Sequence, residues 1–339
     1  MNDVLICGYY GMDNIGDEAI LESIINHLRK NDKGISLSVL SGQPDKTSKQ
    51  FNVLSFDRWN EEKIINCVDN SKVICIGGGS LLQDITDTIT VRYYLGILSY
   101  ALKKNKKSII YSQGLGPITK EHSKILISKV LPQASAIFFR DIDSAQLYKE
   151  LTNQTNYNIV CDPVFSLKPT NSEKTKSIIK TIIDKSGGKP IIGISLKDGF
   201  GNEKDWLKLL VDIETQYNAF FLFIPFQQRF DVHITTLITE QLPFNNWYIL
   251  YEELLPSEYL SIIELSNLFI GVRYHSLIFA YNASVPFIGL NYDPKIKGLI
   301  NVIKEPICIV EKVNNIFENI STVFDYHRKY ISISQNNKL

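Results

Sequence analysis

Residues 4–18, VLICGYYGMDNIGDE, contain the basic unit of the fold. Their first four residues are all apolar, which predicts a strand that is buried on both faces. Three glycines follow, and a helical pattern begins at Asp17. Apolar runs and helical segments alternate in the same way along the rest of the chain, which predicts an α/β protein with parallel sheets. Such proteins bind ligands beyond the carboxyl ends of their strands, so we expect the chemistry in the loops that follow the strands.

The length of the chain favours two domains, because its 339 residues exceed the roughly 250–300 at which a single core stops growing. A stretch rich in Lys, Ser and Thr separates two halves that share the alternating pattern, and it contains the pattern of one short helix at 177–185. We predict two Rossmann-like, doubly wound domains that face each other across a cleft. The predicted boundaries are 1–168 and 190–325 for the domains, 169–189 for a linker region and 326–339 for a C-terminal tail.

The composition excludes several classes of protein. There are 36 Lys and Arg against 36 Asp and Glu, so no net charge attracts a nucleic acid and an anionic ligand needs a local group of cations. The five cysteines form no C-x-x-C pair, which favours buried free thiols in a reducing compartment. The start of the chain lacks the basic region of a signal peptide, and the longest apolar stretch, 219–226, is too short to cross a bilayer. We therefore expect a cytoplasmic protein.

Three strand-end loops of the first half carry candidate functional groups. Asp17 either caps the helix that it begins or faces the cleft as a carboxylate that takes a proton from a substrate hydroxyl. The glycines at 77–79 indicate a close contact, either with a ligand or with the neighbouring domain. Arg140 ends an apolar strand, and it either pairs with Asp141 or Asp143 or directs its guanidinium at a carboxylate or phosphate.

Three strand-end loops of the second half carry cations. Lys197 either binds an anion or forms a surface pair with Asp198. Arg273 and His275 lie where an apolar strand gives way to a helix, and an anion or a carboxylate is expected nearby because burying a guanidinium alone is costly. Lys295 lies in the first turn of the next predicted helix, where a cation opposes the helix dipole unless it faces an anionic ligand.

Glycine-rich and polar segments run in order from residue 4 to about residue 300. They are GYYG (8–11), NIGDEAI (14–20), GGGSLLQD (77–84), QGLGP (113–117), RD (140–141), CDP (161–163), GISLK (193–197), RYHSLIFA (273–280), VPFIG (285–289) and YDPK (292–295). As an ordered set, they resemble the polysaccharide pyruvyl transferase family, closest to the type that modifies bacterial cell-wall polymers to anchor S-layer proteins.

The resemblance implies a glycosyltransferase-B-like pair of α/β domains, with the acceptor on the N-terminal side and the donor on the C-terminal side. It implies transfer of pyruvate from the co-substrate phosphoenolpyruvate to a hexose or N-acetylhexosamine, as a cyclic ketal that usually bridges O4 and O6, with release of phosphate. No metal, nucleotide or other cofactor is implied. The acceptor is expected to be a lipid-linked disaccharide that contains N-acetylmannosamine and is made at the inner, cytoplasmic face of the cell membrane.

The resemblance also implies roles for single residues. The R-x-H pattern of the family, which contacts the donor, corresponds to Arg273 and His275, and relatives often carry Leu and Ala where this chain has Tyr274 and Ser276. We expect His275 and Arg273 to be catalytic, with His275 as the acid, and Asp17 to be the base for an acceptor hydroxyl. The residues expected to bind substrate are Arg140, Lys197, Lys295, Tyr10, Asn14, Gly79, Ser80, Gln83, Asp84 and Gln113; no metal site is expected.

Two other classes of function fit the same sequence. A nucleotide-sugar-dependent glycosyltransferase would use the same pair of domains, and a non-catalytic glycan-binding protein would consume no donor. Membrane contact is also an open alternative, because Tyr93, Tyr94 and the basic run at 103–107 either settle on anionic lipid or form a solvated helix end. The expected partners are thus phosphoenolpyruvate and a glycan, with no nucleic acid, and a homo-oligomer is left open.

Overall fold

The structure of the protein is a computed structural model that describes residues 2–85, 89–291, 295–296, 298–299, 303 and 308–323. The chain divides into two units, Met1–Leu167 and Lys168–Leu339, here called the N-terminal and the C-terminal unit. The predicted tail at 326–339 and residues 292–294 of the YDPK segment lie outside the described residues, and the helix predicted at 295–303 is described only in part.

A parallel sheet forms the centre of the N-terminal unit. Its described strands are β1 (Asn2–Cys7), β2 (Leu37–Ser41), β3 (Leu54–Asp57), β4 (Ser71–Leu82), β5 (Lys107–Leu115), β6 (Ala136–Phe139) and β7 (Asn158–Ile159). They pair in the order β3-β2-β1-β4-β5-β6-β7, every pair parallel. The described helices are α1 (Ile15–Asn31), α2 (Pro44–Phe51), α3 (Glu61–Asp69), α4 (Ile89–Lys103), α5 (Glu121–Val130) and α6 (Ile142–Thr152), with 3₁₀ turns at Leu131–Gln133 and Pro163–Ser166.

The C-terminal unit repeats this architecture. Its described strands are β8 (Ile191–Ser195), β9 (Phe220–Phe223), β10 (Trp247–Ile249), β11 (Leu268–Gly271), β12 (Phe287–Leu290) and β13 (Cys308–Val310). They pair in the order β10-β9-β8-β11-β12-β13, again all parallel. The described helices are α7 (Glu173–Ser186), α8 (Glu203–Tyr217), α9 (Gln228–Thr239), α10 (Pro256–Ile263) and α11 (Tyr274–Asn282), followed by a 3₁₀ turn at Val313–Asn315 and helical residues at 316–323.

Each sheet is covered on both faces, as the uninterrupted apolar runs predict. Leu5, Ile6 and Cys7 of β1 are fully buried, and so are all the residues of β11. Burying the apolar surface of such a strand stabilises the folded protein by about 25 cal/mol per Å². The prediction of two α/β units with parallel sheets is therefore confirmed.

Several local predictions were wrong. The sequence analysis did not identify α2 or β3; β3 lies at the edge of its sheet and its residues are exposed or half-buried, so no apolar run marks it. The glycines at 77–79 lie inside β4 rather than in a loop after it, because the pairing with β5 continues to Leu82. Most of the predicted linker is α7, a helix that contacts α10 and β10 of the C-terminal unit.

Two expectations about surface chemistry also need correction. Cys161 is exposed, whereas Cys7, Cys67 and Cys75 are buried free thiols as expected. Tyr94 is fully buried, so it is not available for a membrane surface. No helix in the described part of the chain is both long and apolar enough to cross a membrane.

Candidate active site

Three cations of the C-terminal unit follow neighbouring strands. Lys197 comes just after β8, Arg273 just after β11 and Lys295 a few residues after β12. These three strands are adjacent and parallel, so their carboxyl ends lie at one edge of the sheet. This is the edge at which open α/β sheets bind ligands.

Arg273 is held by a carboxylate that the sequence analysis did not identify. Its Nε donates to Asp231 Oδ2 at 2.8 Å and its Nη2 donates to Asp231 Oδ1 at 2.6 Å. Asp231, in the first turn of α9, is completely buried and also accepts the backbone N–H of Gln227 at 2.9 Å. The carboxylate that was expected near Arg273 is therefore Asp231. Two fixed hydrogen bonds to one carboxylate orient the guanidinium.

The surroundings of Lys197 favour an anion. Partial burial lowers the pKa of its ammonium group; the positive charges of Arg273 and Lys295 lower it further, whereas Asp231 and Asp198 raise it. Arg273 and Lys295 are thus both close enough to act on Lys197. Because like charges destabilise each other, an anion that binds between them gains from all three.

His275 lies in the first turn of α11, one helical residue after Tyr274. Its ring makes an edge-to-face contact with Tyr274, with the ring centroids 5.2 Å apart, and its Nε2 atom is buried. Arg273 is the N-cap of the same helix. The imidazole and the guanidinium therefore lie within one turn of backbone at the edge that carries Lys197.

Arg140 of the N-terminal unit pairs with carboxylates of the protein, and its binding of a substrate anion stays a prediction. Its guanidinium contacts Asp141 at 3.6 Å, as the pairing alternative expects, and Asp162 at 3.4 Å, a partner that the sequence analysis did not propose. Its Nη2 also donates to Ser80 Oγ at 3.1 Å. The side chain is almost fully buried, so these contacts fix its position at the carboxyl end of β6.

The glycines of β4 lie against helix α1. Gly78 and Gly79 have φ values of +68° and +80°, which L side chains rarely adopt. A Cβ on Gly78 would overlap Ile20, and a Cβ on Gly79 would lie 3.2 Å from Asp17 Oδ1. The close approach of β4 to α1 thus explains the glycines and places Asp17 beside the strand.

Asp17 does not cap α1. The cap is Asn14, whose side chain accepts the N–H of Gly16 at 3.1 Å, so Asp17 is in the first helical turn. Gln113 donates its amide to the carbonyl oxygens of Gly79 and Gly114, at 3.1 and 2.8 Å. Asn14 and Gln113 therefore have structural contacts that position the Asp17 region.

Three other residues expected to bind substrate make hydrogen bonds within the N-terminal unit. Tyr10 is buried and donates its hydroxyl to the carbonyl of Gly77 at 2.6 Å. Gln83 accepts the N–H of Ile85 at 2.9 Å, and Asp84 accepts the N–H groups of Thr119 and Lys120 and the Thr119 hydroxyl. These contacts fix the loops that follow β1 and β4, and substrate binding by the three residues stays a prediction.

Glu18 is a buried carboxyl group that the sequence analysis did not select. It accepts the N–H of Gly11 at 2.7 Å and is only 9% exposed. Its pKa is raised to about 8, mainly by burial and also by the charge of the adjacent Asp17, although the backbone N–H groups of Gly11 and Met12 act in the opposite direction. Glu18 directly follows Asp17, and nothing in the sequence distinguishes the two carboxyl groups. Only the burial of the Glu18 side chain in the folded protein makes its pKa unusual.

Among the described residues, no group of three or more His, Cys, Asp and Glu side chains has the arrangement of a metal site. The candidate functional groups at the carboxyl edges of the two sheets are therefore side chains of the protein. In the C-terminal unit they include the cations Lys197, Arg273 and Lys295.

The model of the polysaccharide pyruvyl transferase family matches residues 14–294 of this chain. The chain belongs to the polysaccharide pyruvyl transferase family. The pyruvyl transferase match extends over both units and includes Asp17, Arg140, Lys197, Arg273 and His275. No curated protein is similar enough in sequence to be matched.

Solved structures share the fold of this chain at low sequence identity. The UDP-GlcNAc 2-epimerase of Neisseria meningitidis has a TM-score of 0.65 and 13% identity, over 97% of this chain and 93% of its own. Anabaena HepE, solved with UDP-glucose, has a TM-score of 0.63 and 10% identity, over 98% and 95%. A glycosyltransferase of Rickettsia africae has a TM-score of 0.60 and 12% identity, over 96% and 88%. These neighbours place the chain in the glycosyltransferase-B-type architecture.

Proposed function

We propose that this protein transfers pyruvate from phosphoenolpyruvate to a sugar of a polysaccharide precursor, forming a cyclic ketal and releasing phosphate. The observation that carries the proposal is the group of Lys197, Arg273 and Lys295 at one sheet edge, in a chain of the pyruvyl transferase family. Phosphoenolpyruvate carries a carboxylate and a phosphate, so its binding needs more than one cation, and an arginine fork suits either group.

The chemistry requires one proton at the methylene carbon of phosphoenolpyruvate and the loss of its phosphate. His275 is proposed to donate the proton to C3, which leaves C2 open to attack by two sugar hydroxyls. Two protons leave the two sugar hydroxyls. One returns to His275, and the other leaves with the phosphate. Phosphoenolpyruvate and the sugar diol therefore give the ketal and inorganic phosphate as the only products. Arg273 and Lys197 stabilise the negative charge that develops on the departing phosphate.

In the N-terminal unit, Asp17 is proposed as the base for an acceptor hydroxyl. It lies beside Gly79 at the carboxyl edge of the sheet, and Asn14 and Gln113 fix the backbone around it. Arg140, held by Ser80 and Asp162, is proposed to contribute a further cation for substrate. The proposed acceptor is a lipid-linked precursor of a cell-wall polymer, of the type that anchors S-layer proteins, which the resemblance of the ordered segments supports.

Mass spectrometry tests the proposal most simply. Candidate lipid-linked disaccharides containing an N-acetylhexosamine are incubated with the protein and phosphoenolpyruvate. A gain of one pyruvate less one water, matched by release of inorganic phosphate, is expected. His275→Gln should lower the rate by about 100-fold or more. The control is Lys208→Met, which removes an exposed lysine of α8 and should leave the rate unchanged.

A nucleotide-sugar-dependent glycosyltransferase is the second candidate. It is favoured by the structural neighbours, since HepE was solved with UDP-glucose and the N. meningitidis epimerase with UDP-GlcNAc. The same incubation with UDP-glucose or UDP-GlcNAc distinguishes the two functions. Release of UDP with transfer of a hexose to the acceptor would replace the pyruvyl transfer proposal.

A further inference from the structure

An exposed tryptophan, Trp59, lies just beyond the carboxyl end of β3 beside the half-buried Tyr93, and the proposed chemistry uses neither residue. Trp59 is 62% exposed, and its ring centroid lies 6.0 Å from that of Tyr93 in α4. The Tyr93 hydroxyl donates to the backbone carbonyl of Arg58 at 2.9 Å, which ties the helix to this turn. We call Trp59 and Tyr93 the aromatic platform.

Arg58 fixes the platform. Its Cζ atom lies 4.8 Å from the centroid of the Trp59 ring and 5.0 Å from that of Tyr93. Its Nη1 donates to the carbonyl of Gly8 at 2.7 Å and its Nη2 to the hydroxyl of Tyr94 at 3.0 Å, and the whole side chain is only 3% exposed. Trp59 is therefore exposed and yet held in place. A ring that is already ordered loses little conformational entropy when it binds a ligand.

Four aromatic rings surround the Arg58 guanidinium, since Tyr9 and Tyr94 also lie within 6 Å of it, at 5.6 and 5.7 Å. A cation is attracted to the faces of aromatic rings, so these contacts hold the rings in place around the guanidinium. Trp59 belongs to this cluster and is nevertheless 62% exposed. One part of the indole therefore contacts Arg58, and the rest is accessible to a ligand.

A chain of contacts links the platform to the surroundings of the candidate base. Arg58 contacts Gly8, the first residue after β1, in the loop that leads to α1 and Asp17. The Tyr93 ring lies 5.0 Å from the ring of the buried Tyr94, and the pKa of the Tyr94 hydroxyl is raised by burial and also by the charge of Asp17. The platform and Asp17 therefore belong to the same carboxyl edge of the N-terminal sheet.

We propose that Trp59 and Tyr93 stack against a sugar ring of the glycan acceptor. This inference rests on the proposed function, which requires a glycan, and it adds the surface that binds one. A pyranose ring presents C–H groups on its faces and hydroxyls at its rim. The face suits a flat, ordered indole, while the rim stays free to reach polar groups such as Asp17.

Binding is measured without any donor, by saturation-transfer difference NMR on the full chain. The probes are the methyl glycosides of N-acetylglucosamine, N-acetylmannosamine and glucose. Trp59→Ala is expected to weaken binding about tenfold, and Trp59→Phe, which keeps a smaller ring, less than that. The matched control is Leu54→Ala, which removes a 58% exposed apolar side chain from β3, the strand that precedes Trp59, and should bind like the wild type. Circular dichroism confirms that each variant is folded.

The outcomes separate this inference from the proposed function. Wild-type protein that binds a glycoside through Trp59 but transfers no pyruvate would leave the platform established and remove the pyruvyl transfer. Where transfer occurs, Trp59→Ala should raise KM for the acceptor and leave KM for phosphoenolpyruvate unchanged. The inference is overturned if the wild type binds none of the probes, if Trp59→Ala binds them equally well, or if Trp59 matters only for flotation with phosphatidylglycerol vesicles.

Discussion

The buried Glu18 should make the stability of the protein fall as the pH rises. Its carboxyl group accepts the N–H of Gly11 at 2.7 Å, and burial raises its pKa to about 8 from an ordinary value of 4.5. The folded protein therefore keeps this proton up to a pH about 3.5 higher than the unfolded chain does. The perturbation that isolates the effect is Glu18→Gln, because an amide oxygen can still accept the Gly11 N–H but does not titrate.

The sign and size follow from linkage. A raised pKa means that the folded state binds the proton more tightly, so the stability it contributes is complete below about pH 4.5 and is lost as the pH rises through about 8. At about 1.36 kcal/mol per pH unit, the loss amounts to about 5 kcal/mol. A small part of this stability is already lost by pH 5. Between pH 5 and pH 9, the difference in the free energy of unfolding between Glu18→Gln and wild type should therefore shift by about 4 kcal/mol, in favour of the variant.

Urea unfolding followed by circular dichroism, at pH values from 5 to 9, measures this difference. Glu61→Gln, which changes an exposed glutamate of α3 in the same unit, is the matched control and should show no such trend. Parallel stability curves for wild type and Glu18→Gln across this range would refute the reasoning, since they would mean that Glu18 is ionised throughout in the folded protein.

Two further predictions concern stability. Asp231→Asn removes the charge of Asp231, which forms a buried, doubly hydrogen-bonded pair with Arg273. The variant should be destabilised by about 3–5 kcal/mol, measured as a lower Tm in calorimetry. An unchanged Tm would show that the pair is not formed. Gly8→Ala should destabilise the protein by about 1–3 kcal/mol because a Cβ at this position overlaps the Tyr10 ring. Gly96→Ala should stabilise it by about 0.5–1 kcal/mol, because Gly96 lies in a helix and has open space around it. Equal effects of the two variants in thermal unfolding would contradict this prediction.

Much of the fold follows from local pattern, while the contacts of the site do not. The apolar runs that become β1 and β11 lose all exposure in the sheet, so their composition alone identifies them. The edge strand β3 has no buried face, so no apolar run in the sequence identifies it. The sequence predicted that Arg273 follows a strand and that an anion or a carboxylate lies near it. Its partner was not, because Asp231 is 42 residues away and meets Arg273 only through the order of β9, β8 and β11.

The same limit applies to the glycines and the carboxylates of the N-terminal unit. Three glycines in a row indicate a close approach, but only the structure shows that β4 approaches α1 at Ile20 and Asp17. Glu18 and Asp17 are adjacent and chemically alike in the sequence. Their different burial, which follows from the helical rotation between neighbouring residues, separates them.

The central claim is that the cations of the C-terminal unit bind phosphoenolpyruvate. Isothermal titration calorimetry of the full chain with phosphoenolpyruvate, in the absence of acceptor, tests it directly. The wild type should bind, Lys197→Met should bind roughly ten- to hundredfold more weakly because it loses one charge-assisted contact, and Lys208→Met should bind like the wild type. No binding by the wild type, or equal affinity for all three proteins, would contradict the account.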